Sequence, residues 1–137
     1  GLAIYLLSPD TVKTAGIFGA GVQGYHQGLY LLHNRSIDTL YIHDLNIKSA
    51  ETMARNLRHE FTNVDYIIAD CPEQVIENCE IIIAATTSCS PLFEIRPDDT
   101  RGRLFISIGS FRPDMQEFPD NVIANADEIF VDTMFAA

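Results

Sequence analysis

The sequence contains no tryptophan, and its three cysteines are too few and too widely spaced to build a site. Cys71, Cys79 and Cys89 are separated by eight and ten residues, which fits neither a CxxC zinc knuckle nor an even disulfide framework. They read as free thiols. Basic residues are also scarce: nine Lys and Arg stand against nineteen Asp and Glu, a formal net charge of −10, and they are scattered. Without a clustered basic surface to neutralise phosphates, nucleic acid is excluded as a partner. No apolar stretch approaches the roughly 20 residues of a membrane span, and no charged segment leads into a signal-like apolar run. A cytoplasmic protein with no membrane partner is expected. The four histidines, His26, His33, His43 and His59, lack metal-ligand spacing, and no Ser-His-Asp order is legible. No metal site is expected, and no catalytic residue is assigned.

What is present is enough apolar residue for a core: 47% of 137 residues, the size of one domain. From Lys13 onward, short β-rich runs alternate with longer stretches of helical period, the pattern of βαβ units building a parallel sheet. Strands are expected at residues 14–18, 39–43, 64–69, 80–86, 103–109 and 128–132. Helices are expected at 23–32, with Tyr25, Leu29 and Leu32 on one face, and at 48–61, with Ala50, Met53, Ala54 and Leu57 inward. Shorter helices are expected at 71–79, where Pro72 suits a first turn, and at 118–126. The unbroken run Ile81 to Ala85 suits a strand covered on both faces.

Between the first strand and the first long helix stands Gly19-Ala20-Gly21-Val22-Gln23-Gly24, a G-x-G-x-x-G. Its first glycine permits a tight turn, its second lets a pyrophosphate approach the backbone, and its third lets the helix pack close to the strand. Phosphates then meet free N–H groups at a helix N-terminus. Asp44 ends the second strand, 20 residues beyond Gly24, where a carboxylate accepts from an adenosine ribose. The competing reading is that Asp44 caps the next helix. Strand, glycines, helix, strand and acid in this order imply an α/β domain of Rossmann type: a doubly wound, mostly parallel six-stranded sheet with helices on both faces.

A carboxylate that takes a 2′-hydroxyl repels a 2′-phosphate, and Leu45 and Asn46 beside it bring no arginine. NAD is therefore the expected cofactor, with NADP the alternative and Lys48 the one nearby cation that could favour it. Ligands of such sheets lie outside the carboxyl ends of the strands. That rule adds Thr86, Thr87, Ile108 and Gly109 to the expected cofactor-binding set of Gly19, Gly21, Val22, Gln23, Gly24, Asp44, Leu45 and Asn46. Thr86 and Thr87 would offer hydroxyl or backbone groups, and Gly109 would let a nicotinamide ring lie against the backbone. His26, two residues past Gly24, is the histidine closest to the cleft.

Taken in order, "GIFGAGVQGYHQ", "IHDLNIKSAETMARNL", "CEIIIAATTSCSPLF", "FISIGSFRPDMQEFP" and "IFVDT" resemble the nicotinamide-binding domain of the ornithine cyclodeaminase and mu-crystallin family. The most specific pieces are the GAGVQ turn and the IGSFRPDMQE segment. The resemblance implies an NAD(P)-dependent oxidoreductase, likewise a homodimer, in which this domain is inserted into a substrate and dimerisation domain. The chain, which opens on Gly1 and ends at Ala137, is accordingly expected to be a single domain excised from a longer protein, binding cofactor without turning over substrate. Ornithine cyclodeaminases carry an aspartate two residues after the glycine of the fifth-strand motif, where this sequence has Phe111. The "SFRPDMQE" form is instead similar to mu-crystallin and to bacterial cyclic-imine reductases. That implies a small amino-acid or cyclic-imine substrate of the pyrroline-2-carboxylate type, reduced by hydride transfer. Cyclodeaminase or alanine dehydrogenase activity, and an NADPH-dependent mu-crystallin-like binding role, are the alternatives. The NADPH preference of mu-crystallins runs against the local argument from Asp44.

Overall fold

The computed structural model describes residues 2–110 and 112–131. Among them, five parallel strands form one sheet: β1 (Thr14–Phe18), β2 (Thr39–His43), β3 (Asp65–Ile68), β4 (Ile81–Ala84) and β5 (Leu104–Ser107), in the order β3-β2-β1-β4-β5. The order reverses at β1, so the crevice between β1 and β4 is the topological switch point of the sheet. The registers place the last residues of the central strands level, Phe18 against His43 on one side and against Ala84 on the other. Loops that leave these ends therefore converge on one edge.

Helices α2 (Val22–Asn34) and α3 (Ile47–Glu60) cover one face, and α4 (Pro72–Asn78) and α5 (Asp120–Ala124) lie with the other. β4 shows why such a strand has no alternation. Ile81 and Ile83 belong to the core under α2 and α3, Ile82 and Ala84 to the opposite core with Phe18, Val75, Phe93 and Phe118, and all four are fully buried. The inward face of α3 is Ala50, Met53, Ala54 and Leu57, as its period implies. In α2 the buried residues are Gly24, Gly28, Leu31 and Leu32, with Tyr25 and Leu29 packed at their margin. The contact surface of α2 is thus rotated onto its glycines, which let it approach the sheet and α3; a Cβ on Gly28 would lie 3.1–3.2 Å from Leu57 and Met53.

A first helix, α1 (Leu2–Leu7), precedes the sheet and buries only Ile4. It is clasped by Arg35, whose buried guanidinium donates to the carbonyls of Tyr5 (2.7 Å) and Ser8 (2.6 Å) and to Ser8 Oγ (2.8 Å). At the amino ends of the strands, Glu80 accepts from the backbone N–H groups of Lys13 (2.9 Å) and Thr14 (3.2 Å), tying β4 to β1. These backbone donors hold the Glu80 carboxyl below its usual range.

One expected strand is corrected. Residues 128–131 form no strand and join no ladder, and Asp132, the last residue of that expectation, lies outside the described residues. Ile129, Phe130 and Val131 are 46–63% exposed. A β-branched and aromatic run becomes a strand only where a neighbour pairs it and a layer covers it, and among the described residues this run has neither. Among the described residues the sheet has five strands rather than six.

Candidate functional site

Every residue expected to touch a cofactor lies on the carboxyl edge of the sheet. The glycine turn follows β1, Asp44, Leu45 and Asn46 follow β2, Thr86 and Thr87 follow β4, and Ile108 and Gly109 follow β5. The three glycines divide their work. Gly19 adopts φ +92°, a left-handed conformation that L side chains rarely enter. A Cβ on Gly24 would collide with the Gly19 carbonyl oxygen, so this glycine seats α2 on the turn. Gly21 has ordinary extended backbone, and a Cβ there would meet nothing within 4 Å. Its space is open.

Gly21 is also the N-cap of α2, and it supplies no side-chain capping bond. The first N–H groups of a helix have no intrahelical acceptor, so the start of α2 presents donors and a positive dipole end into that opening. Asp44 flanks it. Its Oδ2 accepts from Ala20 N–H at 2.7 Å and its Oδ1 from Asn46 N–H at 2.7 Å. The cap of α3 is Asn46, whose side chain accepts from Lys48 N–H at 3.1 Å. Asp44 is thus not the helix cap. One N–H on each carboxylate oxygen leaves lone pairs on both for further donors. Leu45, beside it, is fully exposed.

His26 lines a concavity of about 550 Å³ between α2 and α3, with Lys48, Ser49 and Thr52, on the flank away from β4 and β5. His43 contacts the Ala69 carbonyl through Nδ1 (3.0 Å) and meets the Phe18 ring edge-on.

The far half of the edge is organised by Glu117, which the sequence reading passed over. The residue is 1% exposed. Oε1 accepts from Thr86 N–H (2.6 Å) and Thr86 Oγ1 (2.9 Å), and Oε2 accepts from Ser107 Oγ (2.5 Å) and Gly109 N–H (2.9 Å). One carboxylate thereby ties the loop after β4 to the end of β5. Both donors of Thr86 are committed to it rather than presented to a ligand. Gly109 acquires a second reason to be glycine, because a Cβ would strike the Thr86 carbonyl and approach Glu117 Oε1 to 2.5 Å. The only sequence signal was that Glu117 closes the IGSFRPDMQE segment. Phe111, in the same segment, lies outside the described residues.

The sequence model of the ornithine cyclodeaminase/mu-crystallin family matches residues 1–137. The chain belongs to that family. Among curated family relatives, it is 29% identical over 137 residues to a Delta(1)-pyrroline-2-carboxylate reductase of Bacillus cereus, covering all of this chain and 41% of the relative. It is 24% identical to the ketimine reductase mu-crystallin of Macropus fuliginosus, over 99% of this chain and 41% of that protein. The Thermococcus litoralis Delta(1)-pyrroline-2-carboxylate reductase, solved in complex with NADH and L-proline, superimposes with a TM-score of 0.77 at 26% identity, covering 88% of this chain and 36% of that one. The chain thus spans about two-fifths of the length of these relatives. Among the described residues no helix is long and apolar enough to cross a membrane.

Proposed function

We propose that this chain is the dinucleotide-binding domain of an NAD-dependent reductase of a small cyclic imine of the pyrroline-2-carboxylate class. The observation that carries the reading is the turn after β1. Gly21 keeps an open space in front of the α2 N-terminus, and Asp44 is fixed beside it by Ala20 N–H. A pyrophosphate fits the first feature and a ribose diol the second. In this reading Gly19, Gly21, Val22, Gln23 and Gly24 hold the phosphates, and Asp44 accepts from the adenosine ribose with Leu45 and Asn46 at its side. Thr86, Thr87, Ile108 and Gly109 form the wall of the nicotinamide half. When bound, the cofactor supplies the hydride that reduces the imine carbon. The chain's own residues bind and orient it.

The reduction of an imine is supported by the relatives named pyrroline-2-carboxylate reductase and ketimine reductase. The preference for NAD over NADP rests on the Asp44 carboxylate, which would face a 2′-phosphate with like charge. The whole protein is read as a homodimer whose substrate domain lies outside this chain, and the three free cysteines suit a reducing compartment such as the cytoplasm.

Calorimetric titration with NADH and NADPH tests the site. Wild-type protein should prefer NADH, and Asp44→Ala should weaken NADH by about tenfold while narrowing the preference, through loss of hydrogen bonds to a charged group. NADPH binding as tightly as NADH, with no effect of Asp44→Ala, would remove the ribose role. The full-length protein should oxidise NADH with pyrroline-2-carboxylate and release no ammonia from ornithine.

A further inference from the structure

Glu117 is a buried carboxylate whose partners are all neutral. Its oxygens face two backbone N–H groups and two hydroxyls, and among the described residues it forms no ion pair with Lys, Arg or His. Four donors suit an ionised group, since an ionised carboxylate only accepts. They orient dipoles towards the charge without cancelling it. The charge sits at the carboxyl ends of β4 and β5, where it joins Thr86 to Ser107 and Gly109. Asp44 marks the adenosine half of the crevice on the β2 side of β1. A dinucleotide lying across the switch point therefore places its nicotinamide on the β4 side.

From this we infer that Glu117 sets the redox preference of the site: its charge favours the oxidised, cationic nicotinamide over the neutral reduced ring. The inference rests on the dinucleotide reading proposed above. NADH and NAD share adenosine, pyrophosphate and both riboses, and differ in the charge of one ring, so a fixed negative charge near that ring acts on their ratio of affinities. The same bias favours departure of hydride, because the ring left behind is the cation. At an effective dielectric of about 20, a unit charge acting over about 10 Å is enough for a roughly tenfold effect. Burial of the carboxylate keeps the effect from being screened by salt as it would be at the surface.

The test measures three dissociation constants, for NAD, NADH and ADP-ribose, in wild type, Glu117→Gln and Glu117→Asp, with thermal unfolding recorded for each. Glu117→Gln removes the charge and should raise the ratio of the NAD constant to the NADH constant by about tenfold. ADP-ribose, which lacks the ring, should bind as in wild type. Glu117→Asp keeps the charge and should keep the ratio, even where unfolding temperature falls. Equal weakening of all three ligands by Glu117→Gln would mean that the carboxylate only braces the loops, and would overturn the inference while leaving the dinucleotide site standing. Wild-type protein that binds none of the three would overturn the site and the inference together. Should Glu117→Gln not fold, Glu117→Asp decides the matter: a ratio of the NAD and NADH constants that changes in a variant keeping the charge refutes the inference.

Discussion

Replacing Gly21 and Gly24 by alanine, one at a time, separates a glycine required by a ligand from one required by the fold. At Gly21 the backbone is extended, with φ −77° and ψ −169°, and a methyl group meets nothing within 4 Å. Alanine there reduces the freedom of the unfolded chain, a gain of about 0.4–1 kcal/mol. It also replaces a tolerated N-cap residue by a poor one, a loss of about 0.5 kcal/mol. The two nearly cancel, and Gly21→Ala should unfold within about 0.5 kcal/mol of wild type. At Gly24 the intrinsic helix preference for alanine is worth about 1 kcal/mol. The new methyl, however, is driven into the Gly19 carbonyl oxygen, a backbone atom that cannot rotate away. Overpacking costs about 1–3 kcal/mol and a rigid neighbour puts this site at the upper end or beyond, for a net loss of about 2 kcal/mol. Binding should rank the other way. The methyl at Gly21 stands between the α2 N-terminus and the pyrophosphate, and losing one charge-assisted hydrogen bond weakens NADH by about 10- to 100-fold. Urea unfolding gives the stabilities and calorimetry the affinities. Wild-type NADH affinity in Gly21→Ala would refute the phosphate role of the turn, and a stability loss equal to that of Gly24→Ala would refute the claim that its space is open.

Burial pushes the Cys79 thiol up to about 12 from the usual 9.0, against a smaller opposing pull from Arg103, and burial pushes Tyr66 up to about 12 from 10.0. A raised folded value stabilises the protein fully below the unfolded value. That part of the stability should therefore decline from about pH 9 towards pH 12, as the unfolded chain releases protons that the folded chain keeps, and urea midpoints across this range measure it. At pH 8 a thiol reagent should modify exposed Cys89 and reach buried Cys79 only on unfolding; equal rates at both would contradict the packing of α4 on β1. Glu80 has the opposite sign. Its lowered folded value means stability present above about pH 4.3 and lost as pH falls through the lower folded value, so Glu80→Gln should flatten the acid limb of the stability profile.

Much of the architecture was legible because it follows from local chemistry. The inward face of α3 could be read from its period, and β4 from an apolar run that suits only a strand buried twice over. The turn after β1 was legible for a stricter reason: Gly19 needs a positive φ and Gly24 needs the absence of a Cβ, and no other residue meets either demand. The face of α2 was read less well. Large apolar residues dominate a hydrophobic pattern, and a helix that makes its closest approach through Gly24 and Gly28 hides its contact stripe from that pattern. Residues 128–131 failed in the opposite direction, because strand-forming composition says nothing of whether a neighbour is there to pair.

The half of the site beyond the glycine turn was the less legible half, and Glu117 shows the cause. A carboxylate in an irregular segment rich in proline and charge reads as a solvated loop residue. Its role exists only once the chain has returned over 31 residues to Thr86 and over 10 to Ser107. The glycine turn is encoded in adjacent residues, as backbone freedom. The wall of the opposite half is encoded in a long-range hydrogen-bonded cluster, as a charge that must find four donors or be destabilising. Such a cluster constrains several residues at once. Gly109 must lack a Cβ, Thr86 must keep its hydroxyl, and Ser107 must supply its own, all for a group that local pattern treats as ordinary surface. The family-specific IGSFRPDMQE segment is therefore explained, in part, by Glu117 at its end: the segment carries the carboxylate back to the strand edge, where it both braces the wall and charges it.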